Sequence, residues 1–475
     1  MMMMEESISD NNKQQQEIGQ DNNINNNNNR DHNNEDENET IATDIEDIST
    51  LLAKIEDANA GSRPPRKYSE QDNSNPEWFK HKKHFFIFSF SGKPIYSRYG
   101  DEVALNTFMA TLSAMTSFVE SQNDVLRSLV AGKHQFVFLQ KNPLCLVCIC
   151  NTGEPQMMIQ QQLEYIHAMV ISVLTQTNIK AVFDAKYDLR DLLGGTDKLI
   201  DNIIHKVNLD FPILLNSVQC IRLNYNTRNS ITNILQNRKS DSIIFSLLLV
   251  DNKLVSMVKQ KKTQTLKPQD IHIILNYISS STIKDSESFM PICLPNFNDA
   301  GFLHLYICFI YPQVCLLLFS NQVDSFYQLS ECKDLIVKDI ESENLVDELT
   351  KSANTHEYST SQTEVPNLLH FIYKNRISNY STHPIFTSPY TSKPEKKRLF
   401  RLYQHIYNRA NNSLNKPHKY YYYTSQTETI FVLINSSHEI YATFSPLELK
   451  KSVFESLNIL LQWIKENENV LFLST

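Results

Sequence analysis

The sequence predicts an α+β (α/β) protein of three similar domains, each an antiparallel-meander-based sheet flanked by helices, preceded by a disordered N-terminal arm. Three observations carry this expectation. The order strand, strand, helix, three strands, helix recurs three times along the 475 residues. The strand candidates are runs of aromatic and β-branched residues closed by Gly, Pro or Asn. At 41% hydrophobic and 10% aromatic, a chain too long for one core has enough apolar side chains to fill several.

The arm comes first, residues 1–76. It is rich in Asn, Gln, Glu and Asp, with the run Asn25 to Asn29, and has too little apolar surface to offset the entropy of ordering. Within it, Ile41, Ile45, Ile48, Leu51, Leu52 and Ile55 recur at helical spacing, a stretch able to fold on a partner. Arg63-Pro64-Pro65-Arg66-Lys67 then reverses the charge and reads as a solvated linker with some attraction for anionic lipid.

The first domain, 77–208, opens with strand His84 to Phe90, turn Ser91-Gly92-Lys93-Pro94 and strand Ile95 to Tyr99. Gly100 breaks the strand, Asp101 is the expected N-cap, and Leu105, Phe108, Met109, Leu112, Met115, Thr116 and Val119 form one face of a helix. Strands Val125 to Val130, His134 to Gln140 and Leu144 to Cys150 follow. A helix from near Pro155 carries Ile159, Leu163, Ile166, Val170 and Val173 on one face, and Tyr187 to Val207 reads as another around Gly194-Gly195. The near-continuous apolar strands LCLVCIC and FFIFSF predict a sheet covered by helices on both faces.

The second domain, 209–350, repeats the order. Strands Ile243 to Val250 and Leu254 to Lys259 precede a helix after Pro268 carrying Ile271, Ile274, Leu275 and Ile278. Strands Met290 to Pro295, Phe302 to Ile310 and Val314 to Phe319 lead to a helix from about Asp324 to Leu349. Tyr311-Pro312-Gln313 divides the apolar stretch Phe302 to Phe319 into two strands rather than one membrane span. The third domain, 351–475, begins with a polar linker, Lys351 to Val365. Strand Leu368 to Lys374, a Pro-punctuated loop, a helix Pro394 to Asn411 and strands KYYYYT, TIFVLI and EIYATF follow. Ser445-Pro446-Leu447-Glu448 reads as a capping box for a last helix with Leu449, Val453, Leu457, Leu460, Leu461 and Ile464 on its apolar face.

Charge and composition narrow the function classes. The net charge of −8 is set by residues 1–60, where 15 acidic side chains face 3 basic ones, leaving residues 61–475 at +4. That balance suits an anionic membrane surface or an acidic partner and is too small for nucleic acid. Eight cysteines inside apolar runs, and an opening MMMMEES that is no secretory leader, point to a reducing, cytosolic compartment. Nine glycines with neither G-x-x-x-x-G-K-[ST] nor G-x-G-x-x-G argue against a phosphate-cradling loop. Cys145, Cys148 and Cys150 form C-x-x-C-x-C in an apolar strand without a second cluster, so packing is the expected role and no metal is assigned. His81 and His84 are read the same way, and no nucleophile elbow is present.

The strings GKPIYSRYGDE (Gly92 to Glu102), NLLHFIYKNR (Asn367 to Arg376), RLFRLYQ (Arg398 to Gln404), EIYATFSPLE and LLQWIKENENVLFLS closely resemble the SAND family, the monensin-sensitivity vacuolar-fusion proteins. The resemblance runs from Trp78 to the C-terminus. It implies three longin-like domains and a subunit that pairs with the calcium-caffeine-zinc-sensitivity protein as a heterodimeric guanine-nucleotide exchange factor. Its substrate would be the late-endosomal Rab GTPase (Rab-seven type). The implied roles are endosome maturation, vacuole or lysosome fusion and autophagosome fusion, from the cytosol and peripherally on endosome, late-endosome and vacuole membranes bearing phosphoinositides. Such a factor needs no catalytic residue, metal or cofactor of its own. The alternative is a non-catalytic longin scaffold, a coat or tether subunit.

Two surfaces are expected to carry these contacts. Ser97, Arg98, Tyr99, Gly100, Asp101, Glu102 and Asn106 lie where the second strand hands over to the helix, and are the expected GTPase or partner site, with Arg98, Asp101, Glu102 and Asn106 available to a partner. Lys259, Lys261, Lys262 and Lys267 form a polybasic turn expected to meet anionic lipid.

Overall fold

The computed structural model describes residues 68, 70–280, 287–355, 357–411 and 419–473. The helix-forming stretch Ile41 to Ile55, the basic run Arg63 to Lys67 and most of the expected arm lie outside the described residues. Of the expected arm, Tyr68 and residues 70–76 are described and seated on the first domain, where the Tyr68 carbonyl accepts the Gly100 N–H at 3.1 Å.

The first domain consists of β1 (Lys83–Ser89), β2 (Pro94–Ser97), α1 (Asn106–Glu120), β3 (Ser128–Ala131), β4 (His134–Lys141), β5 (Leu144–Cys150), α2 (Gln156–Leu174), α3 (Gln176–Asp184), α4 (Leu189–Leu192) and α5 (Asp197–Lys206). Its strands pair antiparallel in the order β2-β1-β5-β4-β3. All seven residues of β5 are buried, as its unbroken apolar run requires of a central strand covered on both faces. Met109 and Leu112 of α1 pack with Phe86, Phe88, Phe138 and Val147 on one face, and α2 crosses β4 and β5.

Helix α2 is more deeply enclosed than a single apolar face implies. Met158, Tyr165, Met169 and Leu174 are buried along with Ile159, Leu163, Ile166 and Val170, because α2 also meets elements of the second and third domains. The helix expected over Tyr187 to Val207 is two helices. Gly195 takes a positive φ of +84° between them, and the Thr196 hydroxyl donates to the Leu193 carbonyl at 2.7 Å in the intervening turn.

The connecting chain holds α6 (Phe211–Leu215), β6 (Val218–Gln219) and α7 (Tyr225–Asn237), none of them expected. The second sheet contains β7 (Ile243–Val250), β8 (Lys253–Lys259), β9 (Ser288–Leu294), β10 (Asn298–Tyr311) and β11 (Val314–Ser320), with α8 (Pro268–Ser280) after β8. Its order, β8-β7-β11-β10-β9, repeats the first. The single closing helix expected over Asp324 to Leu349 is instead α9 (Phe326–Ser342) and α10 (Val346–Thr355). Asn344, at φ +57°, ends α9 in a Schellman motif: Leu345 N–H donates to Ile340 O and Asn344 N–H to Glu341 O, at 3.1 and 3.0 Å. Residues 351–355 of the expected linker thus belong to α10, and Thr360–Thr363 form a short 3₁₀ turn.

The third domain follows with β12 (Leu368–Asn375), β13 (Tyr380–Thr382), α11 (Lys393–Asn411), β14 (Tyr420–Thr424), β15 (Thr429–Ile434), β16 (His438–Phe444), α12 (Lys450–Glu466) and α13 (Glu468–Leu471). Strand β13 lies inside the expected loop and completes the third repeat. The sheet order is β14-β15-β16-β12-β13-β6. Val218–Gln219 add to it in parallel, and Cys220 next to them bridges in parallel to Leu254 of β8. One short connection therefore covers the edge strands of two sheets, where unpaired backbone would otherwise be exposed. Arg228 of α7 secures it, donating to the carbonyls of Val255, Ile221 and Val470 at 3.0, 2.7 and 2.9 Å. Phe211 of α6 is buried against Phe400 and Tyr403, so this connection also fills the third core.

Candidate interaction surfaces

The turn after β2 is built from its own side chains. Ser97 is fully buried; its N–H donates to the Glu102 carboxylate at 2.8 Å and its hydroxyl to Tyr99 O at 2.7 Å. Asp101 accepts the Val103 N–H at 2.6 Å, and its carbonyl accepts Leu105 N–H at 3.1 Å. Asp101 therefore caps a turn and not a helix: α1 begins five residues later, at Asn106, with no side-chain cap. Arg98 lies 2.5 Å from Asp201 of α5, whose same oxygen accepts the Tyr96 hydroxyl at 2.5 Å. Burial alone would lower the Arg98 pKa, but the Asp201 charge holds it above the usual arginine range.

The rest of the turn seats Tyr68 and residues 70–81. Tyr99 stacks on His81 at 3.7 Å, nearly coplanar, and the Trp78 indole donates to Tyr99 O at 3.2 Å. Gly100, at φ +91°, faces Gln71 so closely that a Cβ would stand 2.4 Å from its carbonyl oxygen. Of the residues expected to meet a GTPase, Asp101 and Asn106 are exposed; Ser97 and Gly100 are buried, and Arg98, Tyr99 and Glu102 are half-buried. Arg98 and Glu102, expected to be available to a partner, are engaged within the domain, Arg98 by Asp201 of α5 and Glu102 by the Ser97 N–H. Exposed Val103, between Asp101 and Asn106, joins the outer face; an isolated valine outside any periodic pattern carried no signal for this.

A second feature of the first domain lies at its far edge. No strand pairs beyond β3 among the described residues. Val130 on it is 73% exposed and Phe118 at the end of α1 is 71% exposed, with Val125 exposed between them in sequence. At the opposite edge, α4 packs on β2.

The four expected lysines are all exposed, at the end of β8 and in the loop to α8. Lys259 donates to Thr263 O at 2.8 Å, which ties the loop back on itself. Lys239, which follows α7, joins them: its ammonium donates to Lys259 O, and its pKa is lowered by burial and by the charges of Lys261 and Lys259. Its place in the sequence, twenty residues upstream, concealed it.

Cys145, Cys148 and Cys150 are all buried thiols in β5. Burial pushes Cys145 up to about 12 and Cys148 well above the ordinary thiol value. Among the described residues no group of three His, Cys, Asp or Glu side chains is placed to hold a metal ion.

Residues 83–203, 241–338 and 367–468 match, in order, the first, second and third longin domains of FUZ, MON1 and HPS1. Vacuolar fusion protein MON1 homolog A of Gallus gallus is 37% identical over 411 residues, 86% of this chain and 74% of that one. The Homo sapiens protein of the same name is 35% identical over 422 residues, 87% of this chain and 64% of its own. Protein SAND of Takifugu rubripes is 35% identical over 415 residues, covering 86% and 79%. Three repeated sheets of one strand order, three successive longin matches and this identity over most of the chain lead to one conclusion: the chain belongs to the MON1 (SAND) family of longin-domain proteins.

Proposed function

We propose that the chain acts in vacuolar fusion as one subunit of a heterodimeric guanine-nucleotide exchange factor, activating a late-endosomal Rab GTPase of the Rab-seven type. The partner subunit is the calcium-caffeine-zinc-sensitivity protein, and the complex works peripherally on endosome and vacuole membranes that bear phosphoinositides. Kinship with proteins named for vacuolar fusion supports the setting. The observation that supports the assembly is the β3 edge, which pairs with no further strand among the described residues and carries exposed Val130, a sheet edge of the kind a second longin domain can extend.

Exchange needs no acid, base or metal. A factor that binds the nucleotide-free GTPase better than the loaded one weakens nucleotide affinity by that same preference, through linkage. The GTPase is assigned to the outer face of the β2 to α1 turn, Asp101, Val103 and Asn106, held in place by the inward-facing members of the same turn. The lysine cluster Lys239, Lys259, Lys261, Lys262 and Lys267 is assigned to anionic lipid, where each lysine near the surface contributes about 1 kcal/mol.

The purified heterodimer is expected to accelerate release of a fluorescent GDP analogue from the Rab. Val103→Asp with Asn106→Arg is expected to leave assembly intact and slow release by at least about tenfold, roughly 1.4 kcal/mol. A heterodimer that binds the GTPase and leaves release at its spontaneous rate would refute the exchange reading and favour a scaffold.

A further inference from the structure

The third domain displays two apolar side chains that neither its core nor the surfaces above use. After β16 the chain makes a closed turn before entering α12. Ser445 N–H donates to Asn367 O and Glu448 N–H donates to Ser445 O, each at 3.2 Å, while the Asn367 side-chain amide donates to the Glu448 carboxylate. Asn367, at φ +56°, thus pins both ends of a β-turn whose central residues are Pro446 and Leu447. Leu447, at its apex, is 90% exposed, and Leu449, just before the helix, is 76% exposed.

The surroundings extend this knob. Exposed Phe454, one turn into α12, packs on Phe431 at 4.6 Å and approaches exposed Tyr420 of β14 at 6.3 Å. Lys450 lies over the Tyr422 ring at 5.8 Å, and Lys450 and Lys451 are both exposed. Of the nearby acids, Glu448 is turned to Asn367 and Glu455 stands 3.9 Å from Lys451. The result is an apolar tip with a cationic rim.

We propose that the turn Ser445 to Leu449 inserts into the interface of an anionic lipid bilayer. Leu447 and Leu449 enter the acyl boundary, Tyr420 sits at headgroup level, and Lys450 and Lys451 meet lipid phosphates. The charge of the rim matches such a surface. Among the described residues no single helix is long and apolar enough to cross a membrane. The inference rests on the peripheral-membrane part of the proposed function and adds the element that enters the lipid.

The test uses the full chain and vesicles of phosphatidylcholine, phosphatidylserine and a phosphoinositide. Leu447→Asp with Leu449→Asp is expected to weaken co-sedimentation by at least about tenfold with an unchanged melting temperature. Leu447→Trp is expected to retain binding, with emission that shifts to the blue on vesicles and is quenched by brominated lipid. If the wild-type chain binds no vesicles, the membrane reading falls and takes this inference with it. If the wild-type chain and the double-aspartate variant bind equally, or the Trp emission is unmoved by lipid, only the assignment of the turn is overturned. Trp emission that shifts with the partner subunit and not with vesicles likewise overturns it, making the turn a protein interface.

Discussion

The turn that enters α1 and the turn that enters α12 start from the same ingredients and end in opposite states. Each follows a strand that ends near a serine, each carries an acid that reads as a helix signal, and each delays its helix: α1 starts at Asn106 and α12 at Lys450. In the first, Glu102 is drawn onto the Ser97 N–H, and residues 70–81 fold over the result. In the third, Glu448 is drawn onto Asn367, no aromatic strap is seated on it among the described residues, and Leu447 and Leu449 project outward. Local chemistry therefore decides that a turn forms. What the preceding chain brings to that turn decides whether it is buried or displayed.

The largest expected effect breaks the covered turn. Gly100→Ala places a methyl group 2.4 Å from Gln71 O and 3.1 Å from a Leu105 methyl, at a φ of +91° that L-residues disfavour. We expect a loss of about 2–4 kcal/mol on chemical denaturation, with Trp78 released from Tyr99 and its emission shifted to the red. Leu447→Ala, at the displayed turn, should change stability by less than about 0.5 kcal/mol. Equal losses at the two sites would erase the distinction between them.

Acid should separate the two turns next. Burial lowers the His84 pKa to about 4, with His81 adding to the effect; the unfolded chain binds that proton near 6.5. The contribution of His84 is complete above about pH 6.5 and is lost as the pH falls toward 4, because the unfolded state takes up the proton first. At pH 5 the loss is on the order of 2 kcal/mol. Amides of residues 70–81 should exchange faster at pH 5 than local chemistry predicts, and His84→Phe should flatten that dependence. No histidine lies within Ser445 to Leu449, so its amides should show no such step. An unaltered pH response in His84→Phe would assign the titration to another group.

These two turns also mark where the sequence could be read and where it could not. Strands such as Leu144–Cys150 and the α1 face of Met109 and Leu112 were legible, because burial on both faces or on one leaves a direct pattern in the residue types. Asp101 and Ser445-Pro446-Leu447-Glu448 satisfy the grammar of caps, yet Asp101 is claimed by the backbone of its own turn two residues on, and Glu448 by Asn367, a contact that only the fold brings within reach. On that grammar Leu449 falls on the buried helix face, whereas in the fold it is exposed. Val218–Gln219 was illegible for a different reason: two residues hold no periodicity, and their partner β13 lies some 160 residues away. The helix breaks at Gly195 and Asn344 were marked by residues that tolerate positive φ, but the apolar spacing around them reads through. Lysines 259 to 267 were legible as a run, whereas Lys239 needed the fold to join it to them.

The smallest expected effects come from removing the acid that each turn captures. Glu102→Ala removes the carboxylate that accepts the N–H of fully buried Ser97, and losing a buried charge-assisted hydrogen bond costs about 1–2 kcal/mol. Glu448→Ala leaves only the side-chain amide of Asn367, an exposed residue, where water replaces the carboxylate, so a few tenths of a kcal/mol is expected. Urea denaturation of both variants measures the pair, and a second readout separates stability from display. Glu448→Ala loosens the clamp on Leu447 without changing either leucine, so its vesicle binding should fall only slightly, far less than with Leu447→Asp and Leu449→Asp. A Glu448→Ala loss as large as that of Glu102→Ala would mean that the displayed turn is packed against protein after all, and the contrast between the two turns would fail at its weakest contact.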